Sequence, residues 1–152
     1  GKKFDALLRT LLPVHRFEDC QIPLRISVFD ILARRTRVLE SGDIANAIRA
    51  SCAVPAMFHP VWIDGRPYWD GGILDRPGIH DMPPGRLLYH HIHTRGLSIP
   101  RRDDMVTLVL EGLPGVHPFR LDAGRRALEL ARKAAEHALD RPIENGIVRV
   151  AV

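Results

Sequence analysis

Apolar residues recur along this chain with two different periods. Phe4, Leu7, Leu8, Leu11 and Leu12 stand at i, i+3, i+4, i+7 and i+8, one face of a helix that Pro13 closes. Residues 23–32 are rich in branched and aromatic side chains and predict a strand. Residues 33–35 make a turn, and 36–40 return as a second strand. Ser41-Gly42-Asp43 offers a helix start with Ile44, Ala47, Ile48 and Ser51 on one face, and Pro55 breaks that helix. Residues 60–63 and 67–69 predict two short extended pieces around an Asp64-Gly65 turn.

The stretch 71–85 is dense in glycine and proline and reads as loop. Residues 87–93 and 105–110 are further strand candidates. The last helix, over 123–139, places Ala127, Leu128, Ala131, Ala135, Ala138 and Leu139 on one arc. Arg125, Glu129, Arg132, Lys133, Glu136 and Asp140 lie opposite. Strands alternating with amphipathic helices predict an α/β layered fold.

Composition narrows the class. The 152 residues are 45% hydrophobic and 26% charged, enough for a packed core and unlike a disordered chain. No apolar run reaches the roughly 18 residues of a membrane span, and no basic-then-apolar leader opens the sequence, so a cytoplasmic location is the expectation. The first residues, Gly1-Lys2-Lys3, lack an initiator methionine and lead straight into a helical pattern, which reads as the interior of a longer chain.

The net charge of +4 is carried almost wholly by arginine, since Lys2, Lys3 and Lys133 are the only lysines. Short basic clusters such as Arg34-Arg35, Arg101-Arg102 and Arg125-Arg126 suit a solvated face first. Peripheral contact with an anionic membrane surface is the second reading. No helix-turn-helix or aromatic–basic strand pattern supports nucleic-acid binding. Cys20 and Cys52 form neither a metal spacing nor a disulfide framework.

The chemistry concentrates in one stretch. Ala50, Ser51, Ala53, Pro55, Phe58 and Pro60 are followed by Gly65, Tyr68, Asp70, Gly71 and Gly72. Physically, a helix ends at a proline, a hairpin brings the chain back, and a carboxylate is presented at a strand end. The glycines after it permit a positive φ or the close approach of another backbone. Alone, Asp-Gly-Gly is a common turn sequence.

The whole string, A-S-x-A-x-P-x-x-F-x-P then G-x-x-Y-x-D-G-G, resembles the surroundings of the catalytic aspartate in patatin-like phospholipases. Ile22-Pro23-Leu24, Ser27-Val28-Phe29-Asp30 and Thr36-Arg37-Val38-Leu39 are similar to the strand pair that precedes it there. The likeness runs from about Phe4 to the last helix and is most specific over 48–72. The sequence departs from the family at Leu74-Asp75-Arg76-Pro77-Gly78-Ile79, where many members have an asparagine-rich loop.

The resemblance implies a three-layer α/β/α fold in which residues 1–152 form the C-terminal part of a single domain. It implies a serine–aspartate dyad with Asp70 as base, and with Gly71, Gly72, Pro55 and Phe58 shaping the site. It implies no metal and no cofactor, and a lipid or other acyl ester as substrate. The serines Ser27, Ser41, Ser51 and Ser98 all stand outside any G-x-S-x-G. The nucleophile and the glycine-rich oxyanion loop are therefore expected upstream, and these residues alone are expected to be inactive. As part of a larger sheet the piece would also expose strand edges and apolar faces. The rival reading is a non-catalytic relative that binds or regulates.

Other candidates have simpler readings. His91 and His93 would share one strand face beside His90, a beginning for a metal site but no more. Asp30 ends a strand and is expected to serve structure. Cys52 is expected to be a packed small residue, while His59 and Trp69 flank the motif and are candidates to line an acyl pocket.

Overall fold

The computed structural model describes residues 1–92, 98–116, 121–138 and 140–152. They form two compact units, Gly1–Met82 and Pro83–Val152. The α/β class expected from the pattern is what the chain adopts. No described helix is long and apolar enough to cross a membrane.

In the first unit, β1 (Ile26–Asp30) and β2 (Arg35–Leu39) make an antiparallel hairpin, with Ile26 opposite Leu39 and Asp30 opposite Arg35. A helix, α2 (Ile44–Ser51), follows, capped where the sequence predicts: the Asp43 side chain accepts from the Asn46 N–H at 2.8 Å. Next, β3 (Val61–Ile63) and β4 (Arg66–Asp70) turn through Asp64 and Gly65, both at positive φ (49° and 73°). Two successive left-handed residues are what a two-residue hairpin turn requires, and Asp-Gly meets that need cheaply. The sheet order is β2-β1-β4-β3, with β1 and β4 paired antiparallel.

One face of this sheet is covered by α2. Val28, Ala50 and Tyr68 are buried together, with Ile26, Leu39, Val61 and Ile63 packed round them. Phe17, Ile44 and Ala47 form an adjoining cluster with Leu12 and Val14, and it shares Ile26 and Leu39 with the first. The first helix, α1 (Lys2–Leu11), is tied to α2 by charge: Arg9 pairs with Asp43 at 2.8 Å and Asp5 pairs with Arg49 at 3.2 Å. These bonds turn one edge of the apolar stripe of α1 inward. Leu8 and Leu12 are half-buried, but Phe4, Leu7 and Leu11 stay exposed.

The second unit is a parallel sheet, order β5-β6-β7, built from β5 (Leu87–Ile92), β6 (Met105–Glu111) and β7 (Ile147–Ala151). Helix α3 (Leu121–Ala138) connects β6 to β7, the crossover that parallel neighbours need. Leu110, Val148 and Val150 are buried against Ala134 and Ala138, with Ala131 beside them.

Three local expectations are corrected here. The pattern assigns no strand after the last helix, yet residues 147–151 alternate buried and exposed side chains as β7. The contact face of α3 is also rotated from the expected arc. Ala134 is buried, whereas Leu128 is 70% exposed, about a third of a turn away. A stripe of alanines lets the helix lie close on the sheet, so small residues rather than the largest apolar ones mark the interface. Leu139 falls outside the described residues. Finally, β1 is shorter than expected at both ends: it begins at Ile26, three residues beyond Pro23, and Asp30 ends it.

Asp30 is 1% exposed and serves the fold. Its Oδ1 accepts from the Ala33 N–H at 2.9 Å, closing the β1–β2 loop, and its Oδ2 accepts from Arg66 on β4 at 2.9 Å. Burial alone would push this carboxyl up. The Ala33 N–H and the Arg66 guanidinium outweigh it and hold the pKa below the ordinary 3.8. A folded pKa below the unfolded one means that the unfolded chain binds more protons in acid. The contribution is therefore complete above 3.8 and is lost as pH falls through the folded value. Asp30→Asn should flatten this acid limb in urea denaturation followed between about pH 2 and pH 6, and should cost about 1–3 kcal/mol at neutral pH.

Candidate active site around Asp70

Three elements converge on Asp70. It is the last residue of β4 and stands opposite Val28 on β1. Its backbone N–H donates to the carbonyl of Ala53, just beyond the end of α2, at 3.0 Å. The side chain then caps the following 3-10 turn, Gly71–Ile73: Oδ1 accepts from the Gly72 N–H at 2.7 Å. No described residue bonds Oδ2. The carboxylate is thus fixed by one oxygen and open at the other.

The two glycines are needed for a reason narrower than the sequence suggests. Neither adopts a positive φ. Instead Gly71 is pressed against β1, where a Cβ would lie 2.4 Å from the Ser27 carbonyl oxygen and 2.9 Å from Ser27 Oγ. At Gly72 a Cβ would come 3.0 Å from Asp70 Oδ1. The first glycine permits close packing, and the second leaves room for the carboxylate it holds.

Asp70 opens onto a cleft of about 350 Å³ whose lining includes Arg25, Ser27, Ser51, Asp75 and Arg76. Arg25 is itself anchored, donating to the Asp81 carbonyl and to Glu40, each at 2.7 Å. Sequence reasoning missed Asp75, which is 8% exposed. It accepts from Ser27 Oγ at 3.0 Å and from the Ile79 and His80 N–H groups at 3.2 Å each. A signal was present: an aspartate just ahead of Pro77-Gly78, where such residues bind backbone N–H groups in turns.

The remaining predicted residues are placed as follows. Pro55 sits half-buried in a turn whose Val54 carbonyl accepts from the Met57 and Phe58 N–H groups, with Ala56 at φ 69°. Phe58 is 53% exposed. Neither lines the cleft; both belong to the loop that leads on from Ala53. Val54, Met57 and Phe58 on this loop, and Ile73 and Leu74 after Asp70, are all exposed apolar side chains. His59 is exposed, and Trp69 is half-buried on the face of β4 opposite Asp70, its Nε1 bonded to no described residue.

The nucleophile candidates resolve similarly. Cys52 is exposed at the end of α2 and not packed as expected; partial withdrawal of its thiol from water first, and the Asp70 charge second, push it up, the opposite of what a reactive thiolate needs. Ser41 and Ser98 are exposed, and Ser51 ends α2. Ser27 bonds a carboxylate, but it sits within β1 and not on the sharp strand-to-helix turn that aims a nucleophilic serine.

In the second unit, His91 is buried with its ring centroid 5.9 Å from that of Tyr89, His90 is exposed, and His93 lies outside the described residues. Among the described residues no three His, Cys, Asp or Glu side chains cluster as metal ligands. A larger cleft there is lined by Arg101, Arg102, Arg141 and Arg149, but Asp103 and Glu144 alternate with them. Arg102 is paired with Asp104, and Arg149 with Glu111.

A family model for patatin-like phospholipase matches residues 1–82, the whole first unit, with the Asp70 site inside it. The chain belongs to the patatin-like phospholipase family. Among curated relatives, uncharacterized NTE family proteins of Mycobacterium bovis and of two Mycobacterium tuberculosis strains are 39% identical to it over 74 residues. The match takes in 49% of this chain and 20% of each relative. This patatin-like chain therefore corresponds to a small part of those proteins.

The packing of Gly71 in this patatin-like unit is directly testable. Gly71→Ala should destabilise the fold by about 3 kcal/mol in urea denaturation, because a backbone carbonyl cannot move aside. Gly72→Ala, whose neighbour is a side-chain oxygen, should cost less.

Proposed function

We propose that this chain supplies the aspartate of an acyl-ester hydrolase acting on lipids or related amphiphiles. The observation that carries the reading is the state of Asp70. One carboxylate oxygen is pinned by the Gly72 N–H, and the other is uncommitted, on the wall of an open cleft. A base that must take a proton from a hydroxyl needs this combination of fixed direction and free lone pairs.

In this reading a serine from a segment N-terminal to Gly1 attacks the ester carbonyl, and its proton passes to Asp70. The alcohol leaves with that proton, forming an acyl-enzyme. Water then attacks, giving a proton to Asp70, which returns it to the serine oxygen as the acyl–serine bond breaks and the carboxylic acid is released. No cofactor takes part. Residues 1–152 are the C-terminal part of one three-layer domain. The exposed stripe of Phe4, Leu7 and Leu11 on α1 is the kind of surface that the rest of such a domain would cover. Val54, Met57, Phe58, Ile73 and Leu74, exposed on the loops before and after Asp70, suit an acyl chain or the lipid surface that presents it.

The test uses the protein encoded with its upstream sequence. It should contain G-x-S-x-G and hydrolyse a short-chain aryl ester. Asp70→Asn should reduce kcat by at least about a thousandfold while the protein stays folded. Undiminished turnover in that variant would sink the assignment. A complete gene without the serine elbow would favour a binding or regulatory relative.

A further inference from the structure

Asp75 is a buried carboxylate that the dyad does not use. It lies in the loop where this sequence departs from the family pattern, and it lines the same cleft as Asp70. Three donors converge on it: Ser27 Oγ at 3.0 Å, and the Ile79 and His80 N–H groups at 3.2 Å each. Its own backbone closes the segment further. The Asp75 N–H donates to the Gly71 carbonyl at 2.9 Å, and the Gly78 N–H donates to the Asp75 carbonyl at 3.1 Å.

The result is a short mechanical chain. Ser27 belongs to β1, and its carbonyl and hydroxyl are the atoms against which Gly71 is pressed. Asp75, by holding the Ser27 hydroxyl and the Gly71 carbonyl, locks the turn 71–75 onto that strand. The next residue in the turn, Gly72, donates the N–H that fixes Asp70 Oδ1 at 2.7 Å. Among the described residues no other group hydrogen-bonds the Asp70 side chain. Its direction is therefore set by the turn, which its own backbone bonds to the Gly71 carbonyl close and which the Asp75–Ser27 bond ties to β1.

We propose that Asp75 and Ser27 are positioning residues that aim Asp70, with Ser27 acting as a tether and not as a nucleophile. The proposal rests on Asp70 being the dyad base. Small displacements of a reacting group are costly in rate, because proton transfer needs the base held in line with the hydroxyl before reaction.

The experiment measures kcat and KM for a short aryl ester in the protein carrying its upstream sequence. Asp75→Ala should lower kcat by on the order of ten- to a hundredfold with KM within about twofold. Ser27→Ala, which keeps the Asp75 charge and removes one bond, guards against a variant that fails to fold; it should lower kcat about fivefold. Asp75→Asn keeps an acceptor for part of the network and should fall between wild type and Asp75→Ala. In an Asp70→Asn background, neither Ser27→Ala nor Asp75→Asn should lower the residual rate further, because the group they aim is gone.

The outcomes separate the two readings. Turnover that survives Asp70→Asn removes the dyad, and the clamp with it. Asp70-dependent turnover whose kcat is unchanged in Ser27→Ala and Asp75→Asn removes the clamp alone. So does covalent labelling of Ser27 by a fluorophosphonate, which would make it a nucleophile.

Discussion

Strand β1 is the member on which the first unit depends. It pairs with β2 on one side and β4 on the other, and the buried side chain of Val28 lies under α2 in the core. Its last residue, Asp30, closes the hairpin and reaches Arg66 on β4, while Ser27 takes the pressure of Gly71 and bonds Asp75. A side chain in this arrangement need not be rigid itself. Asp70 inherits its place from two backbone pairings, to Val28 across the sheet and to Ala53 beyond the helix. Setting a carboxylate on a strand end held from two sides fixes it more closely than a free loop would.

Much of this was legible in the sequence, for identifiable reasons. Asp43 ahead of Ile44, and Asp64-Gly65 between two extended pieces, are local signals whose meaning barely depends on the rest of the chain. Both were realised as a helix cap and a two-residue turn. The motif around Asp70 was legible because many weak constraints coincide in one short stretch. What stayed hidden was non-local. No periodicity shows that Ser27 and Asp75, 48 positions apart, share a hydrogen bond. Nor does composition show that alanines, not Leu128, face the sheet from α3. Residue size misleads where close approach is what packing rewards.

The two glycines after Asp70 show how one sequence feature can hide two physical demands. Either could have been read as conformational licence, yet neither needs it. One is a matter of clearance between backbones, the other of clearance for a side chain. The proposed catalytic reading of Asp-Gly-Gly and its structural reading are therefore compatible, since the packing that both glycines serve also leaves one Asp70 oxygen open to the cleft.

That has a consequence for how such chains diverge. Every replacement of Gly71 adds at least one carbon where a carbonyl oxygen already stands 2.4 Å away, so the position offers no neutral exit to drift. A relative without any chemistry would still be held to glycine there by folding alone. Persistence of this glycine in a lineage thus records an intact strand contact, and the history of the activity has to be read from the residues that packing leaves free to change.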